Sequence, residues 1–128
     1  MDEIIFELKR FFAGRAQDIV VAYVFGSVAR GESRAESDVD VAVLFAETPP
    51  ATLSGPALEL EGELEHALGK RVQLVVLNSA PVDLIHRVLR DGEIVFEADR
   101  SARIRFEVAA RNEYFDILPV LRRYRKMA

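Results

Sequence analysis

Two aspartates with one residue between them, Asp38-Val39-Asp40, open the apolar run Val41-Ala42-Val43-Leu44-Phe45. On an extended chain side chains alternate between faces, so both carboxylates point to one side and Val39 points into a core. Carboxylates that close repel unless a cation joins them. Magnesium commonly takes one or two carboxylates and completes its shell with water and substrate phosphates, so the chemistry this pair offers is the handling of a phosphate ester. A matching element stands upstream. Gly26-Ser27 follows the β-branched and aromatic run Val20 to Phe25, and ten connecting residues, Val28 to Ser37, lead to Asp38. A residue without a Cβ lets the amides after a strand approach a phosphate, and the Ser27 hydroxyl adds a rotatable donor. Alone, a D-x-D is most often a solvated turn or a helix cap. Set at this separation between two apolar runs, the two elements favour a phosphate and metal site. Arg30 is placed to reach the same phosphates, and an exposed salt bridge to Glu32 or Glu36 is the plain reading of equal weight.

The string Phe25-Gly26-Ser27-Val28-Ala29-Arg30-Gly31-Glu32-Ser33, followed by Ser37-Asp38-Val39-Asp40, resembles the nucleotidyltransferase superfamily related to DNA polymerase beta. In particular it resembles the minimal, single-domain nucleotidyltransferases. Leu77-Asn78-Ser79-Ala80-Pro81 and Leu89-Arg90-Asp91-Gly92-Glu93 look like the second half of that family, and the MntA-type antitoxins are the most similar branch. The resemblance implies a nucleotidyltransferase fold, ATP as substrate, Mg2+ held by Asp38 and Asp40, and nucleotide phosphates on Gly26, Ser27 and Arg30. It further implies AMP transfer to a protein hydroxyl, a tyrosine of a HEPN-type RNase toxin, with the chain acting as antitoxin. One departure stands out. The family carries a third carboxylate on the next core strand, and the matching segment Arg71 to Leu77 has Gln73 there. An amide keeps an oxygen ligand but carries no charge and cannot act as a base. The alternative is therefore a catalytically degenerate antitoxin that binds nucleotide and neutralises its partner by contact alone.

The elements that must hold these residues follow from periodicity. Ile4, Ile5, Leu8, Phe11 and Phe12 recur at helical spacing, with Asp2 and Glu3 suited to the first turn and Gly14 ending it. Residues 18 to 25 read as the first core strand, a helical turn at Ala29-Arg30 opens behind Gly26-Ser27, and the run from Asp40 to Phe45 is a strand buried on both faces. Thr48-Pro49-Pro50 and Ser54-Gly55-Pro56 mark a loop. Leu60, Leu64 and Ala67-Leu68 set a helix that Gly69 stops, and Val72 to Leu77 is a strand. Ser79 is the expected N-cap of a helix with Pro81 in its first turn, Leu84, Ile85, Val88 and Leu89 inward and Gly92 closing it. Ile94-Val95-Phe96 reads as an edge strand.

From about residue 101 the pattern is helical. Ile104, Val108, Phe115 and Leu118 form one stripe, widened by Phe106, Tyr114, Ile117 and Leu121, and Pro119 is expected to kink or interrupt it. The end, Leu121 to Lys126, concentrates positive charge that complements a helix dipole, with partner docking as the functional alternative. His66 reads as an exposed or capping side chain, and Asp83 with His86 as a surface pair.

The expected architecture is thus α/β (α+β): a small mixed sheet with flanking helices. A chain of 128 residues, half of them hydrophobic, supports one domain over 1–128 with a real core. It has no cysteine, which excludes disulfides and thiolate metal sites and is compatible with the cytoplasm. The acidic start does not resemble a signal peptide, and no apolar run approaches membrane-spanning length, so no membrane role is expected. A net charge of −4 argues against coating duplex nucleic acid, whose affinity is built from cationic contacts. Self-association is left open.

Overall fold

A strand that must be apolar on both faces belongs at the centre of a layered domain, and the two longest such strands lie side by side. The computed structural model, which describes residues 3–15, 18–34, 36–50 and 55–127, pairs β1 (Ile19–Phe25) antiparallel with β2 (Val39–Phe45). The shorter strands take the edges. β3 (Val72–Val76) runs parallel to β2, and β4 (Glu93–Glu97) antiparallel to β1, giving the order β3-β2-β1-β4. The helices are α1 (Glu3–Gly14), the single turn α2 (Gly26–Ala29), α3 (Pro56–Leu68), α4 (Val82–Asp91) and α5 (Arg100–Met127).

Alternation along the strands separates two cores. Val39, Val41 and Val43 of β2 join Leu8 and Phe12 of α1 and Leu60 and Leu64 of α3 on one face. Ala42 and Leu44 join Val21 and Tyr23 of β1, Ile85 and Val88 of α4, and Ala110 of α5 on the other. The mixed sheet with helices on both sides is the architecture expected from sequence. Asp40 shares the parity of Ala42, so it opens toward the α4 side.

Local choices explain the ends of these elements. Gly69 adopts φ 65° and stops α3, as its type predicts. Before α4 the outcome differs: Pro81, not Ser79, is the residue at the N-cap. Asn78 meanwhile extends the sheet, its Oδ1 accepting from the Phe45 amide and its Nδ2 donating to the Phe45 carbonyl, each at 2.9 Å. On the outer edge of β3 the amides of Val72 and Leu74 donate to Glu65 and Glu61 of α3, at 3.0 and 3.2 Å.

α5 is anchored by a polar cluster over β1. The Tyr23 hydroxyl donates to Glu107 Oε2 at 2.6 Å, and Arg103 bridges Glu107 to Glu97. Burial, then the bond to Glu107 and its charge, push the Tyr23 phenol above its ordinary pKa. Two expectations for this helix are corrected. Of a kink or an interruption at Pro119, the interruption does not occur, the helix continuing through it; the carbonyl that loses its amide partner belongs to Phe115, on a solvent-exposed stretch where water can serve. Of the expected stripe, Ile104, Val108 and Phe115 are exposed and Leu118 is half-buried, while Phe106 from the wider set packs inward with Ala110. Asp2, expected in the first turn of α1, lies outside the described residues. Among the described residues no helix is long and apolar enough to cross a membrane.

Candidate functional site

β1 ends at Phe25 and the chain turns at once: Gly26 has φ 69°, a left-handed conformation that L side chains rarely adopt. The turn lies directly on the second aspartate. A Cβ on Gly26 would stand 2.2 Å from Asp40 Oδ2, so only glycine permits this approach. α2 starts at Gly26 itself, earlier than the turn expected at Ala29-Arg30, and Val28 locks it into the core. The Ser27 carbonyl accepts from the Glu32 amide at 2.8 Å, while its hydroxyl makes no hydrogen bond among the described residues.

Across the sheet, Phe25 pairs with Asp40 and Asp40 with Gln73, a row over three strands on the face toward α4. Asp38 sits just before β2 and shares Asp40's parity. Burial raises the pKa of Asp40, the Asp38 charge raises it further, and Arg30 works against both. The Asp38 charge is thus close enough to penalise the ionisation of Asp40, as expected of a pair that gains from a shared cation. Gly26, Arg30, Asp40 and Gln73 line one cavity of about 340 Å3, closed on its far side by Leu84, Arg87 and Asp91 of α4. Arg30 lines this cavity, and its Nε donates to Glu32 at 3.1 Å, the salt bridge of its plain reading.

The donor set fits magnesium held jointly with a polyphosphate. Asp40 and Gln73 line the cavity with Asp38 near enough for its charge to act on Asp40, the glycine leaves room over Asp40, and no cluster of three or more His, Cys, Asp or Glu that would enclose an ion occurs among the described residues. Phosphate and water oxygens would complete the shell.

The other candidates stay out of the site. His66 is exposed beside Arg15 and Glu63. His86 does not pair with Asp83: its ring stacks on Tyr114 with centroids 3.6 Å apart and planes 3° from parallel, and Asp83 Oδ1 accepts from the Leu84 amide. The cavity wall on α4 was missed from sequence. Its signal was the spacing of Leu84, Arg87 and Asp91, three and four residues apart, which puts them on one helix face.

The comparisons with known proteins agree with this geometry. A protein adenylyltransferase MntA from Thermococcus cleftensis is 44% identical over 68 residues, 53% of this chain and 66% of that protein, so the match spans just under two thirds of the relative. A chain from the crystal structure of a toxin-antitoxin with AMP-PNP superposes with a TM-score of 0.74 at 24% identity, covering 97% of this chain and 98% of that one. A chain from the complex of tri-AMPylated Shewanella oneidensis HEPN toxin with MNT antitoxin gives a TM-score of 0.66 at 21% identity, covering 98% and 99%. At those identities the two structures establish the fold. The family model described as polymerase beta, nucleotidyltransferase matches residues 7–101, a stretch that holds the glycine turn, both aspartates and the α4 wall, and the chain belongs to that family.

Proposed function

We propose that this chain transfers AMP from ATP to a hydroxyl of a partner protein, a tyrosine of a HEPN-type RNase toxin, and so acts as an antitoxin. The observation that carries the reading is the Gly26 turn resting on Asp40, with Asp38 beside it, at the mouth of a cavity of nucleotide-binding size. The MntA relative's name, protein adenylyltransferase, and the AMPylated toxin in the structurally similar complex supply the donor and acceptor classes.

In this reading the amides after Gly26 and the Ser27 hydroxyl hold the phosphates, and Arg30 offers charge from the side. Asp38 and Asp40 would hold Mg2+, which supplies charge neutralisation and orientation when bound. The acceptor oxygen forms a bond to the α-phosphorus as the bond from that phosphorus to the bridging oxygen of the β-phosphate breaks. Pyrophosphate leaves with the electron pair and the hydroxyl proton passes to solvent. Gln73 cannot take that proton. A phenol, with a pKa of about 10, needs less help from a base than an alkyl hydroxyl does, which favours tyrosine as acceptor.

The test is transfer of label from α-labelled ATP to the toxin. Native protein transfers it, and Asp38→Asn or Asp40→Asn lowers transfer by roughly a hundredfold or more, the scale of losing charge stabilisation at a reacting phosphate. Equal labelling by all three proteins overturns the reading. The position of Gln73 directly beside Asp40 favours the second reading, a degenerate antitoxin that works by contact. No AMP-sized mass gain with native protein, and a gain with Gln73→Asp, would establish it.

A further inference from the structure

Two arginines, Arg30 and Arg87, line the cavity, a third, Arg90, neighbours its lining residue Asp91, and the three differ in what already holds them. Arg30 pairs with Glu32 at 3.1 Å. Arg90 is bound by both oxygens of Asp91, Nε to Oδ1 at 2.9 Å and Nη2 to Oδ2 at 2.8 Å, which also spends the charge of the one carboxylate that α4 brings to the cavity. Arg87 makes no hydrogen bond or ion pair among the described residues, yet it lines the cavity together with Gly26, Asp40 and Gln73. It stands mid-row between Leu84 and Asp91 on the α4 face turned to the site. The adjoining helix face is fixed by Ile85 and Val88 in the core, so the backbone carrying Arg87 cannot roll away. An arginine whose only business was solubility would sit equally well on any exposed position of α4.

A triphosphate laid against two aspartates leaves a negative excess that one divalent ion does not cancel. We infer that Arg87 is a phosphate-binding residue on α4 that grips the β- and γ-phosphates of ATP and stays with them as they leave as pyrophosphate. The inference rests on the nucleotidyltransfer reading and adds to it a specific cation from the opposite wall of the cavity. A planar guanidinium suits this task because its paired N–H groups match two phosphate oxygens at once. Leu84 on α4, with Val75 and Phe25 on the strands, supplies the apolar part of the cavity lining. Arg87 also borders a second cleft of about 320 Å3, between α4 and α5, with Asp83, His86, Arg90, Tyr114 and Arg125. The released anion could leave through that cleft without losing its cation.

The experiment compares native protein with Arg87→Ala, Arg87→Gln and Arg87→Lys, all with magnesium. Binding of ATP is measured by calorimetry, and pyrophosphate and AMP are measured as competitors. The expected result is a loss of roughly tenfold or more in affinity for ATP and pyrophosphate in the Ala and Gln variants, with AMP unchanged and partial recovery in Lys. Native-like ATP and pyrophosphate binding in Arg87→Ala overturns the assignment and leaves the transfer reading standing. Equal losses for ATP, pyrophosphate and AMP overturn it in favour of a structural role. No ATP binding by native protein removes the transfer reading, and this inference with it.

Discussion

At Gly26 two independent constraints meet, a left-handed backbone and a carboxylate oxygen where a side chain would begin. Gly26→Ala is expected to cost about 1–2 kcal/mol from the backbone alone, and further because Asp40 must shift. Urea denaturation measures the first effect, and loss of ATP affinity in calorimetry reports the second. Asp40 carries the opposite tension. Its pKa is raised by burial and by Asp38, so folded protein without ligand binds the proton more tightly than the unfolded chain does. The stability linked to that proton is present at acid pH and is lost as pH rises through the raised value. Asp40→Asn is therefore expected to raise the Tm of the ligand-free protein at neutral pH, by roughly 1–3 °C, with the difference shrinking on acidification. A lower Tm at neutral pH would show that the pair is not strained. The placement of Gly26 against Asp40, with Asp38 beside it, was legible in the sequence because it follows from residue type and short spacing. Arg87 was not, because an arginine on an amphipathic helix looks the same whether it faces water or a cavity.

At the scale of elements, helices and strands followed from apolar spacing wherever one face alone was apolar. α5 has two apolar stripes, and period does not say which one meets the sheet. The polar cluster decides it: Tyr23, Glu107 and Arg103 fix the rotation that turns Ala110 inward and leaves Ile104 and Val108 exposed. β3 ends at Val76, one residue short of the expected Leu77, and what the sequence did not show is that Asn78 in the following turn spends its side-chain amide on Phe45 across the sheet. The Tyr23 contact is testable by pH. Its phenol is held protonated as donor to Glu107, so the stability it contributes is complete below the ordinary tyrosine range and declines as pH rises above it. Of the three tyrosines, one is expected to resist ionisation in an ultraviolet absorbance titration until the protein unfolds. In Tyr23→Phe that resistant fraction disappears and stability drops by about 0.5–1.5 kcal/mol.

For the whole molecule, the sheet separates a core that carries the fold from one that carries the site. Leu64 is 0% exposed on the α3 side, away from Asp40, and Leu64→Ala is expected to cost about 2–5 kcal/mol while leaving ATP affinity intact. Denaturation and calorimetry on the same sample check both halves of that statement. The mixed sheet was legible as a class. Strand order was not, because the passage from β3 through α4 to β4 carries the chain across two strands to the far edge, and nothing local encodes that leap. It is also what brings α4 over the cavity beside Asp40 and Gln73.

The outer border of β3 has a corollary for how copies of this protein behave when crowded. Glu61 and Glu65 already occupy the amides that an incoming strand would need. A neighbour trying to lengthen the sheet there would have to evict two carboxylates and leave them facing its own backbone carbonyls. The molecule thus carries a built-in stop against fibre growth on the flank next to Gln73 and Asp40.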